Sequence, residues 1–126
     1  MKKYPATKEG IEQFLDDLVT REIAILIEGE GSYRAIISFL DKMDIKWASG
    51  SNIDDPSRNY QLWIPIVGRR FLLFIYAGEK GFRALVGGLE RSEDYFGVEE
   101  FMAKFEDIDY KPVRSEYDGL IEKFLL

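Results

Sequence analysis

Residues 60–88, YQLWIPIVGRRFLLFIYAGEKGFRALVGG, decide the fold. Side chains in an extended chain alternate between faces, so Tyr60, Leu62, Ile64 and Ile66 share one side of a first strand. Gln61, Trp63, Pro65 and Val67 share the other. Residues 71–77 place Phe71, Leu73 and Ile75 on one face and Leu72, Phe74 and Tyr76 on the opposite one. A sheet with one wet face alternates apolar with polar, whereas these strands are apolar on both. Such a sheet is covered by helices on both sides, or by another chain on one. Gly68-Arg69-Arg70 and Gly78-Glu79-Lys80-Gly81 have the length and glycine content of hairpin turns. The stretch therefore predicts a three-stranded antiparallel meander, with Pro65 marking an edge or a bulge because it has no N–H for a ladder.

Outward from this ribbon, Thr7 predicts an N-cap for a first helix carrying Ile11, Phe14, Leu15, Leu18 and Val19 and ending near Thr20. Residues 22–28, EIAILIE, are short and β-branched and predict a buried strand. After the turn Glu28-Gly29-Glu30-Gly31, Ser32 is the expected cap of a second helix. Its apolar face is Tyr33, Ile36, Ile37, Leu40 and Met43. Residues 45–48 predict a short strand, so strand, helix and strand suggest a right-handed crossover with a parallel pair. Residues 50–59, GSNIDDPSRN, form a polar loop. Val98, Phe101, Met102 and Phe105 predict a third helix with Glu99 and Glu100 near its N-terminus. An alternating segment at 108–113 and a helix capped by Ser115 follow. The expectation is one α+β domain over residues 1–126: a single mixed sheet containing the meander, with about four helices packed on it.

Composition narrows the chemistry. The 126 residues are 46% apolar and 14% aromatic, which suits a folded core. The chain has neither Cys nor His, which removes thiolate nucleophiles, imidazole bases and the usual zinc ligands and leaves oxygen donors for Mg²⁺, Mn²⁺ or Ca²⁺. No cofactor is expected. MKKYPATKEG has no apolar run behind its lysines, and no stretch approaches a membrane span, so the expectation is a cytoplasmic protein. The net charge of −6 is unevenly spread. Residues 57–91 hold six bases against Glu79 and Glu90, while both flanking regions are acidic. That balance suits a protein partner or self-association as a homodimer, and not direct nucleic-acid binding.

Four constellations are candidates for function. Gly29-x-Gly31 after a strand and before a helix could cradle a phosphate, and so support a small-ligand or nucleotide-binding domain. Asp54 and Asp55 lie in the polar loop and could hold a divalent ion. With Glu28 and Glu30 they would serve a metal-dependent hydrolase or nuclease. Trp63, Arg69, Arg70, Tyr76 and Arg83 are residue types enriched at interface hot spots. Glu93, Asp94, Glu99 and Glu100 form an acidic group able to oppose a basic groove. The favoured expectation is a non-enzymatic binding protein, one form being an acidic inhibitor of a nucleic-acid enzyme.

Two segments resemble known proteins. IAILIEGEGSY, residues 23–33, resembles the LAGLIDADG motif of homing endonucleases. The resemblance implies a helix ending in a metal-binding acid, Glu30, preceded by Glu28. The family packs two such helices through a small residue where this chain has Ile25. The segment YRAIISFLDKMDIKWASG, residues 33–50, resembles small uncharacterised bacteriophage and prophage proteins of α+β type through Leu40, Ile45, Lys46, Trp47, Ser49 and Gly50. That likeness implies an accessory protein of a mobile element and names no activity.

Overall fold

The structure, a computed structural model, describes residues 3–53 and 70–106. Helix α1, Lys8–Asp17, starts as its sequence predicts: the Thr7 hydroxyl accepts the Gly10 N–H at 3.1 Å. Ile11, Phe14 and Leu15 are buried. The helix stops at Asp17, earlier than expected. Leu18 is the C-cap, and Val19 takes a left-handed conformation with φ 54°. The Val19 N–H bonds the Asp16 carbonyl and the Thr20 N–H bonds the Leu15 carbonyl, the paired bonds of a Schellman motif. Leu18 and Val19, expected on the apolar face of the helix, are instead 44% and 92% exposed.

Strand β1 is Glu22–Ile27 and helix α2 is Glu30–Lys42. The cap of α2 is Gly29 at φ 108°, three residues before the expected Ser32, which therefore lies inside the first turn. Tyr33, Ile36, Ile37, Leu40 and Met43 are all buried, as their spacing predicts. Ala35 and Phe39 are buried as well, because α2 packs against more than the sheet. Its Phe39 ring meets Phe101 at 5.8 Å and Phe105 at 5.2 Å.

Strands β2 (Lys46–Trp47), β3 (Phe71–Gly78), β4 (Gly81–Gly87) and β5 (Phe96–Gly97) complete a mixed sheet of order β2-β4-β3-β1-β5. The β3–β4 hairpin forms as predicted, with Gly78 opposite Gly81. The first strand of the expected meander, at 60–67, lies outside the described residues. Both edges of β3 are occupied, one by β4 and the other by β1, with Ile25 opposite Leu73. The doubly apolar pattern of residues 71–75 has its cause here, since β3 is the middle strand and Leu72, Leu73 and Ile75 are fully buried. The β1-α2-β2 unit is also rearranged. β1 and β2 do run parallel, but the β4 and β3 strands stand between them, making a split βαβ unit.

A 3₁₀ turn at Leu89–Arg91 carries the chain from β4 across to β5, which pairs parallel with β1. Helix α3, Val98–Met102, is shorter than predicted, and Phe105 instead makes an isolated bridge with Tyr4. The described residues thus hold three α-helices. The expected strands at 60–67 and 108–113 and the helix after Ser115 fall outside them.

All three helices supply one core. Ile11, Phe14 and Leu15 of α1, the buried face of α2, and Val98, Phe101 and Met102 of α3 join Ile23, Ile25, Ile27, Phe71, Leu73, Ile75 and Ala84 of the sheet. Burying each large aliphatic side chain contributes about 1.5–3 kcal/mol. At one end Phe14 meets Tyr4, Phe96, Phe101 and Phe105 at 5.3–5.9 Å. The opposite face of the sheet carries a separate cluster, Ala24, Leu72 and Phe74, with Leu26 and Leu85 against it.

Candidate functional site

The register assigns, row by row, the face of the sheet opposite the three described helices. At its outer end Glu22 of β1 stands opposite Tyr76 of β3, Tyr76 opposite Arg83 of β4, and Arg83 opposite Lys46 of β2. One row further in are Ala24, Phe74 and Leu85, then Leu26, Leu72 and Gly87. The sequence parity that grouped Leu72, Phe74 and Tyr76 on one face is therefore correct. An arginine lies beside an aromatic ring at two places. A Cβ on Gly87 would stand 2.8 Å from Arg91 Cδ and 3.0 Å from Phe74 Cε2. Only glycine leaves room for that guanidinium stem and ring to meet over β4. At Gly78 the corresponding point is 3.5 Å from Tyr76 Cε2 and 3.7 Å from Arg83 Cγ.

Where this face meets the β4–β5 crossover, a cleft of about 490 Å³ opens. Ala24 and Phe74 line it with apolar surface, while Glu22, Asp94, Arg91 and Ser92 bring polar groups. Leu18 and Tyr95 line it too. The walls are held by short local bonds. The Ser92 hydroxyl donates to the Asp94 carbonyl at 2.7 Å, and the Thr20 hydroxyl donates to the Glu22 carbonyl at 3.0 Å.

Among the described residues, the large apolar side chains left exposed are Leu18, Val19, Leu89 and Tyr95. Two of them border one feature and the other two are close to it in sequence. Leu18 and Tyr95 line the cleft, Val19 follows Leu18, and Leu89 opens the turn that delivers Arg91 to it. Large side chains grouped in this way on a surface mark a contact site more often than scattered ones do. The crossover and the first turn of α3 add Glu90, Glu93, Asp94, Glu99 and Glu100, all exposed, against Arg91. The cleft therefore mixes polar and apolar lining, with exposed Leu18 and Tyr95 on it and acidic side chains along the crossover beside it.

The other residues singled out by sequence are placed as follows. Glu28 follows β1 and pairs with Arg70 at 3.4 Å, both side chains more than half exposed. Exposed pairs of this kind contribute little. Glu30 opens α2. The residues 22–27 form a strand, so the helix that the LAGLIDADG likeness implies is not made, and Ile25 is fully buried in the sheet. Asp54, Asp55, Trp63 and Arg69 lie outside the described residues. Among the described residues no three carboxylates converge in a way that could hold a metal ion. Tyr76 and Arg83 share the face opposite the described helices, whereas Asp94 lines the cleft beside the β4–β5 crossover, with Glu93 next to it in sequence.

Sequence reasoning missed Leu18, Val19 and Tyr95, since a helical period carried the first two into the core. Arg91 was counted only as a charge. Its contact with Phe74 depends on the crossover returning over the sheet, which no local pattern encodes. No protein-family model matches the chain, and no curated protein or solved structure is found to be similar to it.

Proposed function

We propose that this chain is a non-enzymatic binding protein of the cytoplasm, an accessory factor that works through contact with another protein. The observation that carries the reading is the pair of exposed side chains Leu18 and Tyr95 on the lining of one acid-bordered cleft. Apolar and aromatic side chains supply the affinity in such a contact, and complementary charge supplies rate and register. The carboxylates of Glu93, Asp94, Glu99 and Glu100 select a partner with a basic groove, of the kind a nucleic-acid enzyme presents to phosphate. A small acidic protein seated there excludes the nucleic acid by occupying its counter-charge. The likeness of residues 33–50 to phage proteins agrees with such a role, and self-association through the same surface is a homodimeric form of it. No helix among the described residues is long and apolar enough to cross a membrane.

The test is affinity capture from the native host, with partner identity fixed by mass spectrometry and then reconstituted from purified components. The expected complex weakens as salt rises and is lost in a Leu18→Ser, Tyr95→Ser double variant. It is weakened at least tenfold by Glu93→Lys with Asp94→Lys. A reconstituted complex indifferent to salt and to both variants refutes this surface. Light scattering on the purified chain reports the homodimer.

A further inference from the structure

We infer that Lys46 and Arg83, with Tyr76 beside them, form a binding site for a compact oxyanion, a phosphate or phosphoryl group. The inference uses only the outer row of the face opposite the described helices and stands independently of the protein-binding reading.

Register places Lys46 directly opposite Arg83 on parallel neighbours, and Tyr76 directly opposite Arg83 on the next strand. Side chains paired in this way leave the same face about 5 Å apart. Two like charges so placed repel, and such pairs destabilise a sheet unless something of opposite sign joins them. Among the described residues no carboxylate pairs with either cation; Arg83 Nη1 bonds only the Phe82 carbonyl, at 3.3 Å. The carboxylate of the row belongs to Glu22, which stands beyond Tyr76 and so about two strand spacings, roughly 10 Å, from Arg83. The nearby turn brings Glu79 and Lys80, whose charges offset each other.

The remaining geometry suits an anion. Lys46, Tyr76 and Arg83 are all half-buried, so water screens them less than it screens fully exposed groups. The Tyr76 ring and the Arg83 stem converge over Gly78, which sets the two side chains against each other on this face. A guanidinium fork matches two oxygens of a phosphate, an ammonium adds a point charge, and a phenol donates one more bond. Size is limited by charge: a chain of net −6, with its acidic border across the same sheet, repels a long polyanion but admits one small group.

The test compares thermal unfolding in inorganic phosphate with chloride at matched ionic strength, on the wild type, Lys46→Met, Arg83→Met, the double variant and a Lys42→Met control. Methionine keeps the apolar stems and removes the charge. Millimolar phosphate should raise the wild-type and control midpoints by roughly 3–6 °C over chloride and leave the double variant unchanged. Backbone amide shifts on titration should map to Lys46, Tyr76 and Arg83. A second arm with N-acetyl-phosphoserine amide separates the sources: a response to both anions assigns a phosphoryl group carried on a partner, and a response to phosphate alone assigns the free ion. Equal midpoints in phosphate and chloride overturn the site. So does a rise that survives in the double variant, or amide shifts confined to another region.

Discussion

Val19 and Asp44 occupy the same position at the ends of two helices. Each follows the C-cap of its helix in a left-handed conformation, with φ 54° at Val19 and 55° at Asp44. Each lies between the same two bonds: Asp44 N–H to Asp41 and Ile45 N–H to Leu40 repeat at α2 the pattern made by Val19 and Thr20 at α1. Glycine is the usual occupant. Asp tolerates the conformation, and Asp44 also pairs with Lys8 at 3.5 Å. A β-branched valine, 92% exposed, has no such compensation.

Val19→Gly should therefore stabilise the protein by about 1 kcal/mol, the relief of left-handed strain exceeding the entropy cost of glycine. Asp44→Gly should change stability by less than about 0.5 kcal/mol, because an exposed pair is lost as mild strain is relieved. Urea unfolding of the two variants checks the contrast. If Val19, next to Leu18, serves the proposed partner, Val19→Gly also weakens the complex while the fold becomes more stable.

Gly10 lies within α1, where alanine ordinarily helps a helix by up to about 1 kcal/mol. Here a Cβ would stand 1.7 Å from the Pro5 carbonyl oxygen, a backbone atom that cannot swing away. Gly10→Ala should accordingly destabilise by about 1–3 kcal/mol, the usual cost of overpacking. A gain in stability would show that the segment before α1 can move freely off it.

Trp47 is 3% exposed, and its indole Nε1 is buried without a hydrogen-bond partner among the described residues. What it contributes is bulk against the helix-side core. Trp47→Phe should cost less than about 1.5 kcal/mol, since no bond is broken, whereas Trp47→Ala should cost about 3–5 kcal/mol. Denaturant midpoints for the pair decide it, and equal losses would mean that the N–H has a partner in solution.

Alkaline pH should weaken the fold through Tyr4. Its hydroxyl donates to Asp17, and that bond, followed by burial and the carboxylate charge, raises its pKa above the ordinary value. Burial raises Tyr33 in the same direction. A raised phenol pKa means that the folded state holds the proton more tightly. The stability it contributes is complete below about pH 10, the unfolded value, and is lost as pH climbs through the folded value. Stability should be level between about pH 7 and 9 and fall beyond 10. Tyr4→Phe should lower the plateau and flatten the fall, as read from urea midpoints across the pH series.

Local pattern carried much of the architecture. The Thr7 cap, the face of α2 from Tyr33 to Met43, the β3–β4 hairpin and the grouping of Leu72, Phe74 and Tyr76 all follow from periods of 3.6 and 2.0 and from turn chemistry. The site was less legible. Arg83, Tyr76, Glu93 and Asp94 were picked out by residue type, but their distribution between one face and the cleft beside the crossover needed the strand order.

Periodicity states which side of an element is apolar and is silent about which neighbour it meets. Residues 71–75 require a partner on each edge and cover on each face, yet nothing within them chooses β1 over an upstream strand. That choice is made by contacts between residues some fifty positions apart in sequence, Ile25 on Leu73 and Ala24 on Phe74. The same holds at Val19, where only the packing of α1 and the start of β1 explain why a helix ends on a residue with no stop signal. The sequence by itself determined the elements and their buried faces. Tertiary structure alone decided the pairing, and with it the row of Lys46, Arg83 and Tyr76 and the cleft lining of Leu18 and Tyr95, because those neighbours are brought together by long-range closure rather than by spacing along the chain.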